Sequence, residues 1–202
     1  MAATWAVFRH GGAPSGEELP VLGTVPEFSL LASTGRPLSR HDLAGSVWIA
    51  DFIFTRCGSI CPILTAQMAK IQAALARAGD TSIRLVSFSV DPTYDTPEVL
   101  QEYATRFHAD PNRWTFVTGQ RNTLYSLIGA GFHLAVADRP EGKDTDGGGL
   151  ITHGDSFVLV DAKLNIRGYY HGTDAESVRQ LLSDLGKLEP GALSACSRES
   201  CP

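Results

Sequence analysis

An α/β domain is the fold class this sequence predicts, and three observations predict it. Residues 47–54 form an apolar run that reads as a buried central strand, and Leu64, Met68, Ile71 and Leu75 follow it at helical spacing. A second run, 83–90, is crowded with Leu85, Val86, Phe88 and Val90, and helical spacing follows again at Val99, Leu100, Tyr103 and Phe107. Near the C-terminus two short strand patterns lead into a helix with its own start signal. At 202 residues, 43% apolar and 19% charged, the chain has the composition of one globular domain with a substantial core.

Residues 1–20 are rich in Gly, Ala and Ser and read as a flexible leader. Short apolar runs at 21–31 and 38–43, broken by Pro26, Gly35 and Pro37, predict an N-terminal hairpin and a turn into the central strand. The helix after that strand is expected over 62–78, with Pro62 at its first position, Cys61 at or near the cap and Cys57 at the strand end. Thr96 and Pro97 supply the cap and first residue of the next helix. A short strand is expected at 114–117, then a helix at 122–131 burying Leu124, Leu127 and Ile128, with 132–136 extending from it as a further strand. The polar, glycine-rich stretch 139–149 reads as a surface loop. Residues 157–160 and 166–170 are expected to pair as a hairpin. Thr173-Asp174-Ala175-Glu176 then forms a capping box for a last helix that buries Val178, Leu181, Leu182 and Leu185. The domain is thus expected over 21–188, with 189–202 as a loose tail.

This order gives a thioredoxin-like three-layer α/β sandwich with an N-terminal β-hairpin and a polar loop insertion. A right-handed crossover between the two central strands puts their ends on one edge, so Cys57 and Asp91 are expected to lie near each other.

That edge is where the chemistry is expected. Four cysteines are too few for a disulfide scaffold at this length and read better as site chemistry. Cys57 and Cys61 fall at the strand-to-helix turn, where the helix dipole favours thiolate over thiol. Three residues separate them, one more than in the usual dithiol oxidoreductase motif. The longer spacing permits a disulfide if the Cα atoms approach within about 7 Å, and it also lets both sulfurs face a common metal. Two inert buried cysteines are the plainer reading, which the turn position opposes.

Two thiolates leave a metal short of ligands. Of the six histidines, His153 is the best placed to add one, since it precedes the strand at 157–160. His133 and His171 are weaker candidates, and His10, His41 and His108 read as surface residues. Asp51 lies six residues before Cys57 in an otherwise apolar strand, the spacing at which thioredoxins keep a buried carboxylate that serves proton transfer to their dithiol. An unpaired buried carboxylate is costly and its pKa rises. A local hydrogen bond or a solvated edge is the competing account.

The segments Phe54-Thr55-Arg56-Cys57-Gly58-Ser59-Ile60-Cys61-Pro62 and Ser89-Val90-Asp91-Pro92-Thr93-Tyr94-Asp95-Thr96-Pro97, followed by His153 before a hydrophobic strand, resemble the Sco/SenC family. The resemblance covers roughly residues 20–188. It implies a copper-binding protein that helps to assemble the dicopper centre of cytochrome c oxidase, with the copper-centre subunit of that enzyme as partner. It places the family's cysteine ligands on Cys57 and Cys61, its histidine ligand on His153, and its aspartate before proline on Asp91, beside the ligands. Thr152-His153-Gly154-Asp155-Ser156 departs from the family's Asp-His-Ser/Thr pattern, which makes Asp155 the candidate to hold the imidazole. Thiolates are soft donors that select Cu(I), and imidazole suits both oxidation states, so such a set holds copper through a Cu(I)/Cu(II) change. Oxidation of the pair to a disulfide is expected to release the metal.

A thiol:disulfide oxidoreductase acting on an acceptor's cysteines, with Cys57 and Cys61 as its redox pair, is the alternative, and a copper or redox sensor is a third. No proline occurs at 150–156, where thioredoxin-like reductases carry a cis-proline facing their cysteines, and this ranks copper handling first. Other copper chaperones or thiol reductases are further possible partners. A net charge of −5 without a basic stripe, and no phosphate-binding glycine motif, argue against nucleic acid and nucleotide. The acidic run Asp144-Thr145-Asp146 matches a calcium loop too poorly to count as one. Cys196 and Cys201 fall in the tail and are read as incidental to the fold. The apolar run in residues 1–9 is too short for a membrane span or a complete signal peptide. The resemblance nonetheless implies an extracytoplasmic, periplasmic protein, membrane-anchored through a segment absent from this chain.

Overall fold

The computed structural model describes residues 18–134 and 155–192. Eight strands form one sheet in the order β1-β8-β7-β4-β5-β6-β2-β3. At its centre β4 (Trp48–Ile53) and β5 (Arg84–Ser89) run parallel, joined by α2 (Ile60–Arg77), and β6 (Trp114–Thr118) lies parallel to β5 after α3 (Pro97–Arg106). This is the predicted pair of strand–helix–strand crossovers. On one side, β7 (Ser156–Val160) runs antiparallel to β4 and forms a hairpin with β8 (Asn165–His171), whose far edge takes the short β1 (Gly23–Thr24). On the other, β2 (Ser29–Ala32) pairs antiparallel with β6 and with β3 (Pro37–Ser39), giving the predicted N-terminal hairpin, which leads into α1 (Arg40–Leu43).

Two apolar clusters sandwich the sheet. Alternate residues of each central strand go to opposite faces: Ile49 and Ile53 of β4 join Leu85, Trp114 and Phe116 under α2, α3 and α5 (Ala175–Leu188). Trp48, Ala50 and Phe52 join Val86, Phe88 and Val117 on the other face, with α4 (Arg121–Ser126) and the turn after it. Leu19 packs against the first cluster, and Ala192, in the stretch expected to trail as a tail, is buried there.

Three local expectations are corrected. The helix expected over 122–131 is not one α-helix: α4 opens at Arg121 and widens into a π-helical turn at Leu127–Gly131. Nor does Phe132 begin a strand. Its N–H bonds back to the Leu127 carbonyl, the Leu134 N–H to that of Ile128, and His133 at φ 54° ends the helix in the left-handed conformation. Residues 135 and 136 lie outside the described residues. For α5 the cap is Asp174 rather than Thr173: its side chain accepts the Ser177 N–H at 2.7 Å, while the Thr173 hydroxyl is used elsewhere. Thr96 caps α3 as predicted, accepting the Val99 N–H.

Candidate functional site

The chain leaves β4 and turns through Phe54-Thr55-Arg56-Cys57, closed by the Cys57 N–H on the Phe54 carbonyl at 3.2 Å. Ser59 precedes α2 but its hydroxyl makes no cap hydrogen bond. Sulfur takes that role: the Cys61 N–H, one of the donors every helix start leaves free, donates to Cys57 Sγ at 3.4 Å, with the Ser59 hydroxyl 3.7 Å from the same atom. The spacing of three residues is what brings Cys57 over that N–H. Pro62 stands at the third helical position rather than the first, because α2 opens two residues earlier than expected. It still lies in the first turn, where its missing N–H costs no intrahelical bond.

Both thiols are free, Cys57 8% and Cys61 3% exposed, and so more buried than a helix-start position suggests. Burial by itself would raise the Cys57 thiol, but the Cys61 thiol and N–H and the Ser59 N–H and hydroxyl hold its pKa below the ordinary value. Cys61 shifts upward, through burial first and then through its hydrogen bond to Cys57. The site thus pairs a thiolate-prone outer sulfur with an inner one that keeps its proton.

Asp51 occupies the middle of β4 and, by strand alternation, shares the face of Ile49, Ile53 and the cysteine pair. It is fully buried, and neither carboxylate oxygen has a hydrogen-bond partner among the described residues. Burial raises its pKa to about 7, moderated by the Ser87 hydroxyl opposite on β5 and by its own N–H, which approach without completing a hydrogen bond. Ser87 accepts the Trp114 Nε1–H at 2.8 Å. The competing account of Asp51, a local hydrogen bond or a solvated edge, does not describe this position.

Asp91 lies at the same edge, as expected. It holds Arg56, the neighbour of Cys57, through an ion pair of 2.6 Å, and the guanidinium lies over the Tyr94 ring, 4.4 Å from its centroid. Asp95, which the sequence shows only as the residue before a helix cap, is a missed member of this edge: its buried carboxylate takes both the N–H and the hydroxyl of Thr55. The available signal was two acids four apart in the loop leaving β5.

Asp155 stands at the entry to β7. Its carboxylate binds His171 Nδ1 at 2.8 Å and the Thr173 hydroxyl at 2.5 Å. The Asp155 contact raises the pKa of His171. His133 packs its ring against Gly23 of β1, where an added Cβ would sit 3.1 Å from Nε2. His41 and His108 are exposed, as expected. His153, His10, Cys196, Cys201 and the acidic run with Asp144 and Asp146 lie outside the described residues. Among the described residues no three His, Cys, Asp or Glu side chains converge as a metal set, and no helix is long and apolar enough to cross a membrane.

A model of the SCO1/SenC family matches residues 18–188, which takes in both cysteines and the Asp91–Asp95 loop. The chain belongs to the SCO1/SenC family. The SCO1 protein homolog of Bacillus subtilis is 32% identical to this SCO1/SenC chain over 166 residues, 82% of it and 83% of the relative. BsSco, a member of the Sco family of cytochrome c oxidase assembly proteins in which a disulfide switch was identified, superposes with a TM-score of 0.71 at 29% identity, over 86% of this chain and 99% of that one. Arabidopsis thaliana ScoI, solved with copper bound, superposes with a TM-score of 0.68 at 23% identity, over 81% and 98% of the two chains. These likenesses establish the thioredoxin-like fold of this SCO1/SenC protein, and its family is one of cytochrome c oxidase assembly proteins.

Proposed function

We propose that this protein binds one copper ion through Cys57 and Cys61, with His153 completing the ligand set, and delivers it during assembly of the dicopper centre of cytochrome c oxidase. The observation that carries the reading is the pairing of two free thiols at the opening of α2, one of them accepting a helix-start N–H that shifts it toward the thiolate. Soft, converging sulfur donors fit Cu(I) better than any other common cellular cation except zinc, and an imidazole extends the set to Cu(II). Copper in ScoI and the disulfide switch in BsSco support the same chemistry on this fold. When bound, copper supplies the cargo. The chain's own part is to favour the thiolate at Cys57 and to keep Cys61 within reach of it. Asp91 assists by fixing Arg56 beside Cys57. Delivery to an oxidase centre places the domain outside the cytoplasm, held at a membrane.

The test is Cu(I) titration of the reduced chain. A tight one-to-one complex is expected, lost in Cys57→Ala and weakened in His153→Ala, and the Cu(II)-loaded protein should show thiolate-to-copper charge transfer. A reduced wild type that retains no copper would sink the proposal. The orphaned Asp51 carboxylate on the dithiol face favours a second reading, thiol:disulfide exchange on an acceptor's cysteines. In that case disulfide reduction proceeds undiminished in His153→Ala and copper is not held.

A further inference from the structure

Both residues that lead into Cys57 are fastened to the loop that follows β5. The Thr55 N–H donates to Asp95 Oδ2 at 3.2 Å and its hydroxyl to Oδ1 at 2.5 Å, while the Ser89 hydroxyl donates to Oδ2 at 2.6 Å. Three donors from two chain segments therefore meet on one fully buried carboxylate. Ser89 Oγ in turn accepts the Asp91 N–H at 3.1 Å, and Asp91 holds Arg56. Among the described residues Thr55 has no polar partner but Asp95, so the position of Thr55 within the turn that carries Cys57 rests on that carboxylate. That turn is short: the Cys57 N–H reaches back to Phe54, and Cys57 Sγ reaches forward to the Cys61 N–H. A shift at Thr55 is passed on to the sulfur with little room for the chain to absorb it.

We propose that Asp95 is a positioning residue for the dithiol: by clamping Thr55 it fixes where Cys57 Sγ sits against the opening of α2, and so sets both the affinity for Cu(I) and the ease with which the two sulfurs close to a disulfide. The first effect rests on the copper reading above; the second stands without it. A carboxylate suits the position because it accepts from all three donors at once. An amide in its place keeps one acceptor atom only, so its nitrogen meets either the Thr55 N–H and Ser89 hydroxyl or the Thr55 hydroxyl, which must then turn from donor to acceptor.

The experiment compares Asp95→Asn, Thr55→Val and Thr55→Ser in the full chain, by competition for Cu(I) with a chromophoric chelator and by equilibration of the dithiol with a glutathione redox buffer. Asp95→Asn and Thr55→Val are expected to lower Cu(I) affinity by about tenfold or more, the usual cost of losing a partner that orients a ligand, and to shift the disulfide equilibrium in the same two variants. Thr55→Ser keeps the hydroxyl and should restore wild-type values in both. Asp174→Ala, which removes the cap of α5, is the control for general loss of stability and should move neither quantity. Should Asp95→Asn fail to fold, Thr55→Val decides, since it keeps the carboxylate. If the wild type binds no copper, the copper reading fails while the glutathione equilibrium still decides the role of Asp95. Variants that match the wild type within twofold in that equilibrium overturn the proposal.

Discussion

The two faces of the central strands are made by alternate residues of the same three segments, yet they differ in kind. On one face Trp48, Phe52, Phe88 and Phe132 interlock, with Phe52 and Phe88 stacked at 5.6 Å and Phe132 edge-on to Phe52 at 5.1 Å. The other face carries Asp51, Ser87, Ser89 and Thr118 among its apolar residues, and Thr65 and Tyr103 reach it from the covering helices. The first face of these strands carries Thr115 and the Trp48 indole N–H, which has no partner among the described residues. Burying a polar group without full compensation costs about 1–3 kcal/mol by mutational measures, so polar side chains gathered mainly on one face need a reason. The face that bears them is the one that ends in Cys57 and Cys61. One face is aromatic packing, and the other combines packing with two free thiols and a buried carboxyl that has no hydrogen-bond partner among the described residues.

The sharpest way to break this contrast is a pair of truncations. Phe88→Ala is expected to cost about 3–5 kcal/mol of stability, as for large aromatic deletions in cores, while the folded fraction keeps its one-to-one copper binding. Cys57→Ala should do the reverse, abolishing Cu(I) binding with little change in the urea midpoint. Loss of copper binding by folded Phe88→Ala would show that the faces are not separate in function.

Asp51→Asn comes next. The carboxyl titrates at about 7 in the folded chain against an ordinary 3.8, so between those values the folded state binds the proton and the unfolded state does not. Its contribution is therefore fully present below about pH 4, declines as pH rises to about 7, and is flat above that, a total on the order of a few kcal/mol. Asp51→Asn should remove this slope and be the more stable protein at pH 8, which urea unfolding at pH 5 and pH 8 would measure. Equal slopes for the two proteins would mean that the acid is not buried alone.

These two faces were unequally legible in the sequence. Apolar runs gave β4, β5 and β6 within a residue, because buried parallel strands leave no other pattern so dense. Asp51 stands out as the polar interruption of the first run, and the cysteine pair as the residues at the turn that follows it. What did not show was pairing between loops. Asp95 reads locally as a helix-start acid, since Thr96 and Pro97 account for the helix without it, and only the fold brings it to Thr55. Thr173 satisfies the local capping pattern, yet its hydroxyl goes to Asp155 and Asp174 caps instead. The π-helical turn after α4 ends at Gly131, which lies against Pro26 so closely that a Cβ would sit 2.8 Å from Cδ, a contact across more than a hundred residues of chain that no local pattern shows.

A smaller effect probes how tightly the polar face is packed. In the turn after β8, a Cβ on Gly172 would fall 2.6 Å from Leu64 Cδ2 and 2.9 Å from the Phe157 ring, so this turn presses on α2 one turn beyond Cys61. Gly172→Ala should cost about 1–3 kcal/mol in thermal unfolding, the range for overpacked sites. A neutral substitution would show that the dithiol helix is free to shift.

The smallest effect tests whether the polar groups on this face act as a chain or as separate contacts. Thr65 Oγ1 donates its one proton to the Cys61 carbonyl at 2.8 Å, and it lies 3.0 Å from the Tyr103 hydroxyl. With that proton committed, the Tyr103 O–H must be the donor in the second bond. Tyr103→Phe then removes a donor and leaves only an under-used lone pair on Thr65, a cost of about 0.5–1.5 kcal/mol. Thr65→Val removes the acceptor and strands the buried Tyr103 hydroxyl, so it should cost more although the side chain is nearly isosteric. In the double variant the stranded hydroxyl is gone, and the loss should fall short of the sum of the singles. Urea unfolding of the four proteins measures the coupling. Strict additivity would mean that the Tyr103 and Thr65 hydroxyls do not act as one hydrogen-bond chain onto the Cys61 carbonyl.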